Sequence, residues 1–593
     1  MCQEAGRQAI VDGQSQGQST LAASCARLWA YLRESQRRAA LALLLLCLVV
    51  YLPGVIRLPA VDRTEVVYAE TTRDMVARGQ WLDPRYGETV HQFRPIGPYW
   101  AQGIAATLAG PESARDITVY RLPGLLAVTL SVLALFWLSA PLIGTEAALI
   151  ASGLFAVAPL TVLLAQLAIG ESLSLLPATV AMLALLRIYV AEREADTRKL
   201  AALFWIAVGA GMFFNALLVP ILVIVTLIAL RFFDRDMWWL DRLHTAWGLP
   251  LAIIIASPWL IVRAIQDGVP YAGMSWGDFI DALSGSQHMK LKAWPGTFLL
   301  AMFLGFLPGT AFLVPAVKRL WDSRADKMTR FLFAWIAGYI VYLELLSSKP
   351  GTYSVQVMFP ALAIAVALLI TKPNAPRALP QWHLMPKPIL AALFATTLLA
   401  APYIAGSQAP SLFALVVIAA TAYLFFMSAR EGRALRLKSW AQSGIAALAL
   451  FAITLLAVIL PSINKAWPAR QIAQALTACK PKSTAVLGFR EPTSYFMLNA
   501  DRAAQTPEAI AAKRLAVAIV EARWLDRYRA ARAAASQPVP RARACIESYN
   551  VMRGCPLSLT IYADDAAICT IPEEFACKSL ALAAAPATSL ACD

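Results

Sequence analysis

The feature that most limits this chain is the recurrence of apolar stretches long enough to cross a bilayer. About 30 Å of hydrocarbon calls for about 20 apolar residues of helix. Such windows fall at roughly 39–56, 118–141, 146–163, 172–190, 200–214, 216–232, 247–265, 297–316, 330–347, 354–370, 388–406, 410–428 and 442–462, about thirteen in all. With a mean hydropathy of +0.59 and only 15% charged residues, the chain lacks the charge an ordinary soluble surface needs. The expectation is an all-α polytopic membrane bundle.

Basic residues set its orientation. Arg27, Arg33, Arg37 and Arg38 precede the first window. That window is too long, and followed by too many others, for a cleaved signal peptide. It reads as an anchor with its N-terminus in the cytoplasm, and an odd number of crossings then puts the C-terminus outside. Segments that this assigns to the cytoplasm carry Arg198, Lys199, Arg231, Lys318, Arg319, Lys327, Arg433 and Lys438, among others, whereas the short outer loops carry few cations. Topology thus accounts for most of the net charge of +15. The cations are dispersed and form no stripe, so nucleic acid is not an expected partner.

Six of the nine cysteines (Cys479, Cys545, Cys555, Cys569, Cys577, Cys592) lie beyond the last window, where an oxidising periplasm permits disulfides. Their connectivity is open. No CxxC or HxxxH spacing suggests a metal, and the sequence leaves the need for a divalent cation undecided.

Three parts follow: a polar cytoplasmic tail over 1–37, the membrane part over 38–462, and a small periplasmic α/β domain over 463–593. In the last part "STAVLGF", "RLAVAIVEA" and "PLSLTIYA" read as strands and "RWLDRYRAARAA" as a helix. No repeat of fixed period argues for an inverted-repeat transporter.

The outer segment over 57–117 is long for a connector. "VVYAETTRDMVARG" sets Val67, Ala69, Met75 and Val76 among charges, as in an amphipathic helix on the membrane surface. "RPIGPYWAQGIAATLAG" opens on Pro95 and Pro98 and reads as a second helix, with turn residues between the two.

Several charges there lack an apolar explanation. Glu171 is the one charged residue between Glu146 and Arg187, which is costly unless it is paired or faces a wet cavity. It is either a loop residue at the water boundary or part of an outer cavity. Asp62 and Glu65, three apart, share a face if helical, but acidic residues also suit a helix N-terminus. Arg94 lies beside Tyr99 and Trp100, as an interfacial anchor would, and Lys349 sits in a tight outer loop.

The stretch "VDRTEVVYAETTRDMVARGQWLDPRYGETVHQFRPIGPYW", with "YRLPGLLAV", "LAIGES" and "SSKPGTYSVQVMFPALA", resembles the bacterial aminoarabinose transferase and protein O-mannosyltransferase-like membrane glycosyltransferases of the GT-C class. The likeness runs in order over roughly 38–563. It implies a GT-C fold in which a polyprenyl-phosphate sugar enters from the outer leaflet and is transferred, with inversion, to a lipid (lipid A-like) or protein acceptor at the periplasmic face of the inner membrane. Carried over, it makes Asp62, Glu65 and Glu171 acid/base or sugar-orienting candidates. Arg63, Arg94 and Lys349 become phosphate binders, lined by Tyr68 and Tyr353. The chain departs from the pattern at Thr64, where the family has the Asp of an Asp-Glu pair, at Val67 in place of Arg, and at Asn215 in place of Lys. It has Glu171 in place of an inter-span Asp, and Arg94 for Lys. The rival expectation is a paralogue that binds lipid or a partner without turnover.

Overall fold

The computed structural model describes residues 27–577 apart from 62, 87–88, 91–94, 193, 235–236, 259–293, 347–350, 372–411, 434–435, 477–483, 490, 499–505, 514–516, 539–540, 552–553 and 564–571. The first apolar window forms α1 (Gln36–Arg57), whose lipid side exposes Leu41, Leu45 and Val49. The outer segment supplies α2 (Arg63–Arg78), a two-strand hairpin of β1 (Arg85–Tyr86) and β2 (Thr89–Val90), and α3 (Gly97–Ala109). Pro98 occupies the first turn of α3, where a missing N–H costs nothing.

The bundle continues with α4 (Ile117–Ile143), α5 (Thr145–Val157), α6 (Pro159–Ala165), α7 (Gly170–Val190), α8 (Arg198–Phe214), α9 (Leu218–Arg231), α10 (Thr245–Ala256), α11 (Thr297–Gly305), α12 (Leu313–Asp322), α13 (Lys327–Val341), α14 (Phe359–Thr371), α15 (Leu412–Arg433) and α16 (Leu437–Ile453). Asp116 caps α4 by accepting from the Thr118 amide, the role a short acidic side chain fills best. Among the described residues, six helical segments are long and apolar enough to span a membrane, and up to eight if each of two bent pairs is one span. The pair α5 and α6 bends by 65° where Pro159 opens the second helix, and prolines impose such breaks. The segment Gly309–Asp322 turns 109° from α11. Of the expected windows, 388–406 lies outside the described residues, as does the later part of 247–265.

Two segments form the centre. The span window of Thr352–Thr371 is 94% buried and that of α7 78% buried, against 39% for α1. A helix apolar all round belongs inside, and α14 reads "FPALAIAVALLIT".

Beyond the last span, Leu437–Ser462, come α17 (Pro468–Ala475), β3 (Thr484–Leu487), α18 (Pro492–Leu498), α19 (Pro507–Lys513), β4 (Val517–Glu521), α20 (Leu525–Ala534), β5 (Arg541–Asn550) and β6 (Cys555–Ala563). The strands form one sheet in the order β3-β4-β6-β5, with β3 and β4 parallel and the other pairs antiparallel. Val486, Ile519, Ile546, Leu559 and Ile561 fill one side of it. Cys545 is bonded to Cys577, and Cys555 is also in a disulfide.

The sheet's helix α18 packs on α2. A segment just after the first span therefore touches one just after the last. Both lie at the same end of the bundle.

Candidate active site

The outer end is organised by one ion pair. Arg121, in the second turn of α4, sends Nε to Glu65 Oε1 at 2.7 Å and Nη2 to Oε2 at 2.9 Å, and neither side chain has exposed surface. The same guanidinium donates to the carbonyls of Leu58 at 2.5 Å and Pro59 at 3.0 Å. Glu65 in turn accepts from the amides of Ala168 at 3.2 Å and Val61 at 3.3 Å. Desolvating two charges is affordable only with such complete pairing. The node joins the end of α1, the roof helix α2, the start of α4 and the loop before α7.

That loop is held a second time. Gln102 of α3 is buried. It donates to the Ala168 carbonyl at 2.9 Å and accepts from Thr72 Oγ1 at 3.1 Å. Ser172 Oγ donates to the carbonyls of Leu164 at 2.7 Å and Leu167 at 3.1 Å. Both polar groups of the Ala168 peptide are thus fixed, three residues before Glu171.

Glu171 is half-buried in the first turn of α7, where the helix dipole favours a carboxylate. Beside it the packing is tight. A methyl group added to Gly170 would lie 3.4 Å from Tyr68 Oη, 3.4 Å from Pro98 Cγ and 3.1 Å from the Phe214 carbonyl. The rings of Tyr68 and Tyr99 lie 5.0 Å apart. Tyr353 is half-buried on the 3-10 segment Thr352–Met358, which packs against α7. Glu65 and Tyr68 of α2, Glu171 of α7 and Tyr353 of the 3-10 segment therefore come from three separate stretches to one end of the bundle. Asp62, Arg94 and Lys349 lie outside the described residues. Arg63 turns away to Glu491 of the C-terminal part, at 3.3 Å.

Some residues of this end escaped the sequence reading. Arg121 was inside the quoted "YRLPGLLAV", and the signal that could have found it is a lone cation within an otherwise apolar span. Glu344 sits in a π-turn after α13 and accepts from the amides of Gly296 at 2.8 Å and Leu299 at 2.9 Å, capping α11. Farther along α2, Arg73 bonds Glu70 at 2.9 Å and Asp74 at 3.0 Å. Nearby, burial first and the Arg73 charge second lower the pKa of Arg115, while Glu70 and Asp74 oppose them. Among the described residues, no group of three or more His, Cys, Asp or Glu could hold a metal ion.

Two helices thus lie over one end of the bundle, with a carboxylate in the first turn of α7 at that end. The crystal structure of ArnT from Cupriavidus metallidurans in the apo state has the same fold: TM-score 0.62 and 18% identity, covering 88% of this chain and 97% of that one. The structure of ArnT from the same organism bound to undecaprenyl phosphate gives 0.63 and 18%, covering 89% and 98%. Residues 93–262 match the family described as dolichyl-phosphate-mannose-protein mannosyltransferase. In sequence, the chain is 28% identical over 314 residues to the undecaprenyl phosphate-alpha-4-amino-4-deoxy-L-arabinose arabinosyl transferase of Erwinia tasmaniensis (51% of this chain, 54% of that one). To the protein of that name from Aeromonas salmonicida it is 27% identical over 338 residues (55% and 59%). The chain thus matches little more than half the length of these curated relatives. The chain is thus similar in fold to ArnT and, over part of its length, in sequence to the aminoarabinose transferases and protein mannosyltransferases.

Proposed function

We propose that this protein transfers a sugar from a polyprenyl-phosphate-linked donor to a lipid acceptor of the lipid A type at the periplasmic face of a bacterial inner membrane. The observation that carries the reading is Glu171, half-buried in the first turn of α7, whose neighbour Gly170 packs on Tyr68 of α2. The relatives named for transfer from undecaprenyl phosphate-linked aminoarabinose support it. So does the likeness to a fold that binds undecaprenyl phosphate.

In this reading a carboxylate takes the proton of the acceptor hydroxyl or phosphate. The freed oxygen attacks the anomeric carbon, and the bond from that carbon to the lipid phosphate oxygen breaks. The phosphate leaves with the electron pair, stabilised by cations. Attack from the opposite face inverts the configuration. Glu171 is the base or sugar-orienting group, with Asp62 as its partner, and Arg94 and Lys349 hold the phosphate. Tyr68 and Tyr353 line the sugar's position. The roof helix limits water and hence donor hydrolysis.

Glu65 has another part: with both oxygens engaged and no exposed surface, it positions the loop before α7. Arg63 acts at the joint with Glu491 and not on the phosphate.

In this reading the chain crosses thirteen times, an odd number, which puts its two termini on opposite sides. Disulfides in the C-terminal part favour an oxidising compartment, and cations gather in loops of the other side. Both support a periplasmic location for 463–593 and for the roof over 57–117, and a cytoplasmic tail over 1–37.

The test is Glu171→Gln in a strain that otherwise lacks the protein, with mass spectrometry of envelope lipids and glycoproteins. The expected result is loss of one lipid-linked glycoform that the wild-type chain restores. A glycoform profile unchanged by deleting the protein would refute the transferase. Loss of a glycoprotein instead would move the acceptor to protein.

A further inference from the structure

We infer that the C-terminal domain positions the transfer site through Phe496, wedged from α18 into the back of the roof. This rests on the transferase reading above. The helix faces two ways. Tyr495 and Leu498 enter the core of the C-terminal sheet with Ile546, Leu557 and Leu559. Phe496, fully buried, enters a separate cluster formed with Val66 and Ala69 of α2, Ala106 of α3, Val119 and Tyr120 of α4, and Ala168. Its ring meets that of Tyr120 edge-on at 5.6 Å.

Four members of that cluster adjoin residues that build the site. Val66 and Ala69 flank Tyr68 and follow Glu65 on α2. Tyr120 precedes Arg121, which holds Glu65. Ala168 is the peptide fixed by Glu65 and Gln102 just ahead of Glu171. A second tie runs beside the wedge: Glu491, buried, pairs with Arg63 at 3.3 Å and accepts from Asn550 Nδ2 at 3.3 Å. A buried carboxylate joining a cation of the roof to an amide of β5 fixes the register of the two parts as well as their proximity.

The physical consequence is that a rigid sheet serves as a backstop for α2 and for the loop before α7. Interiors pack closely and transmit displacement. Removing the ring would let the roof and the Ala168 loop relax into the vacated space and shift Glu171 relative to the donor. Misplacement by about 1 Å costs up to ~100-fold in rate, without altering the groups that bind the donor. Phe496 is therefore a positioning residue, and its signature is a fall in kcat at nearly constant KM.

The test uses the full-length protein in nanodiscs. Three variants are compared: Phe496→Ala, Phe496→Leu, which refills most of the volume, and Ile546→Ala. The last weakens the C-terminal sheet without touching the roof. Two readouts are taken: steady-state kinetics with the lipid-linked donor, and amide hydrogen exchange over 63–78 and 166–172.

Expected for Phe496→Ala are a kcat lowered about 10- to 100-fold, a donor KM within about twofold of wild type, and faster exchange in both segments. Phe496→Leu should recover most of the rate, and Ile546→Ala should leave exchange in both segments unchanged. A Phe496→Ala protein with wild-type kcat and exchange overturns the inference. So does one whose losses Ile546→Ala reproduces at equal thermal stability. If the wild-type chain shows no transfer at all, the transferase reading fails, and the exchange comparison alone decides whether α18 braces the roof.

Discussion

The two ends of the bundle treat charge in opposite ways. At the outer end Glu65 and Arg121 are sealed from solvent and tie four stretches of backbone together. At the other end, where α4 finishes and α5 begins, Glu146 is 25% exposed, with Lys438 Nζ at 2.8 Å and Arg33 Nη1 at 3.9 Å from its Oε1. Glu146 and Arg33 line an open cavity of about 640 Å³ with Met328, Leu368 and Thr371. Nearby on that side, Asp234 takes bonds from Tyr189 and Arg330. The inner pairs are half-solvated and hold helix ends to one another. Removing charges from water is costly, and this chain bears that cost only where loops need an exact shape. The difference agrees with the proposal that the site lies at the end where Glu65 and Arg121 are sealed.

The comparison is most exposed to Arg121→Ala. The variant leaves Glu65 buried and uncompensated, and a loss of about 3–5 kcal/mol is expected, seen as a large drop in folded yield and thermal midpoint in detergent. A near-normal midpoint would remove the distinction between the two ends. Next is the disulfide of the C-terminal sheet. Cys545 and Cys577 are 32 residues apart, so changing both to serine should destabilise that domain by about 3–4 kcal/mol, with the bundle's own melting unchanged. Differential scanning calorimetry before and after reduction checks this.

A smaller loss is expected from Gln102→Leu. It strips the Ala168 carbonyl of its donor, so about 1–3 kcal/mol should be lost, together with a lower transfer rate, measurable by chemical denaturation and single-turnover kinetics. Smallest is Lys438→Ala at the inner end. Its side chain is 47% exposed, so the change should be within about 1 kcal/mol and should shrink further in added salt. A loss at Lys438 as large as that at Arg121 would contradict the contrast.

The apolar windows translated in part: hydrocarbon leaves the backbone few options, yet among the described residues six helices, or eight with the bent pairs, are long and apolar enough to span, against the thirteen expected. The first and fourth of those windows became α1 and α7, and the two outer-loop helices formed over the expected stretches. The C-terminal strands β3, β4 and β6 were legible from their β-branched runs. The longest strand, β5, was not. "RARACIESYN" alternates buried and exposed positions, but its exposed arginines and glutamate mask the pattern in a single sequence. The site was read unevenly. Glu171 and Tyr68 stood out by charge and by setting, and the structure brings them to the same place. Arg121 and Gln102 did not stand out, because their importance lies in partners distant along the chain. No local spacing encodes the bond from Gln102 to Ala168 or the pairing of Arg63 with Glu491.

That last pairing bears on biogenesis. Arg63 emerges from the ribosome among the early segments, and its partner near the end among the late ones. Chains grow at about 5–20 residues per second and contacts of high sequence separation form late. The joint between α2 and the C-terminal part therefore closes only after about tens of seconds of further synthesis. A nascent chain arrested before Glu491 would lack that joint.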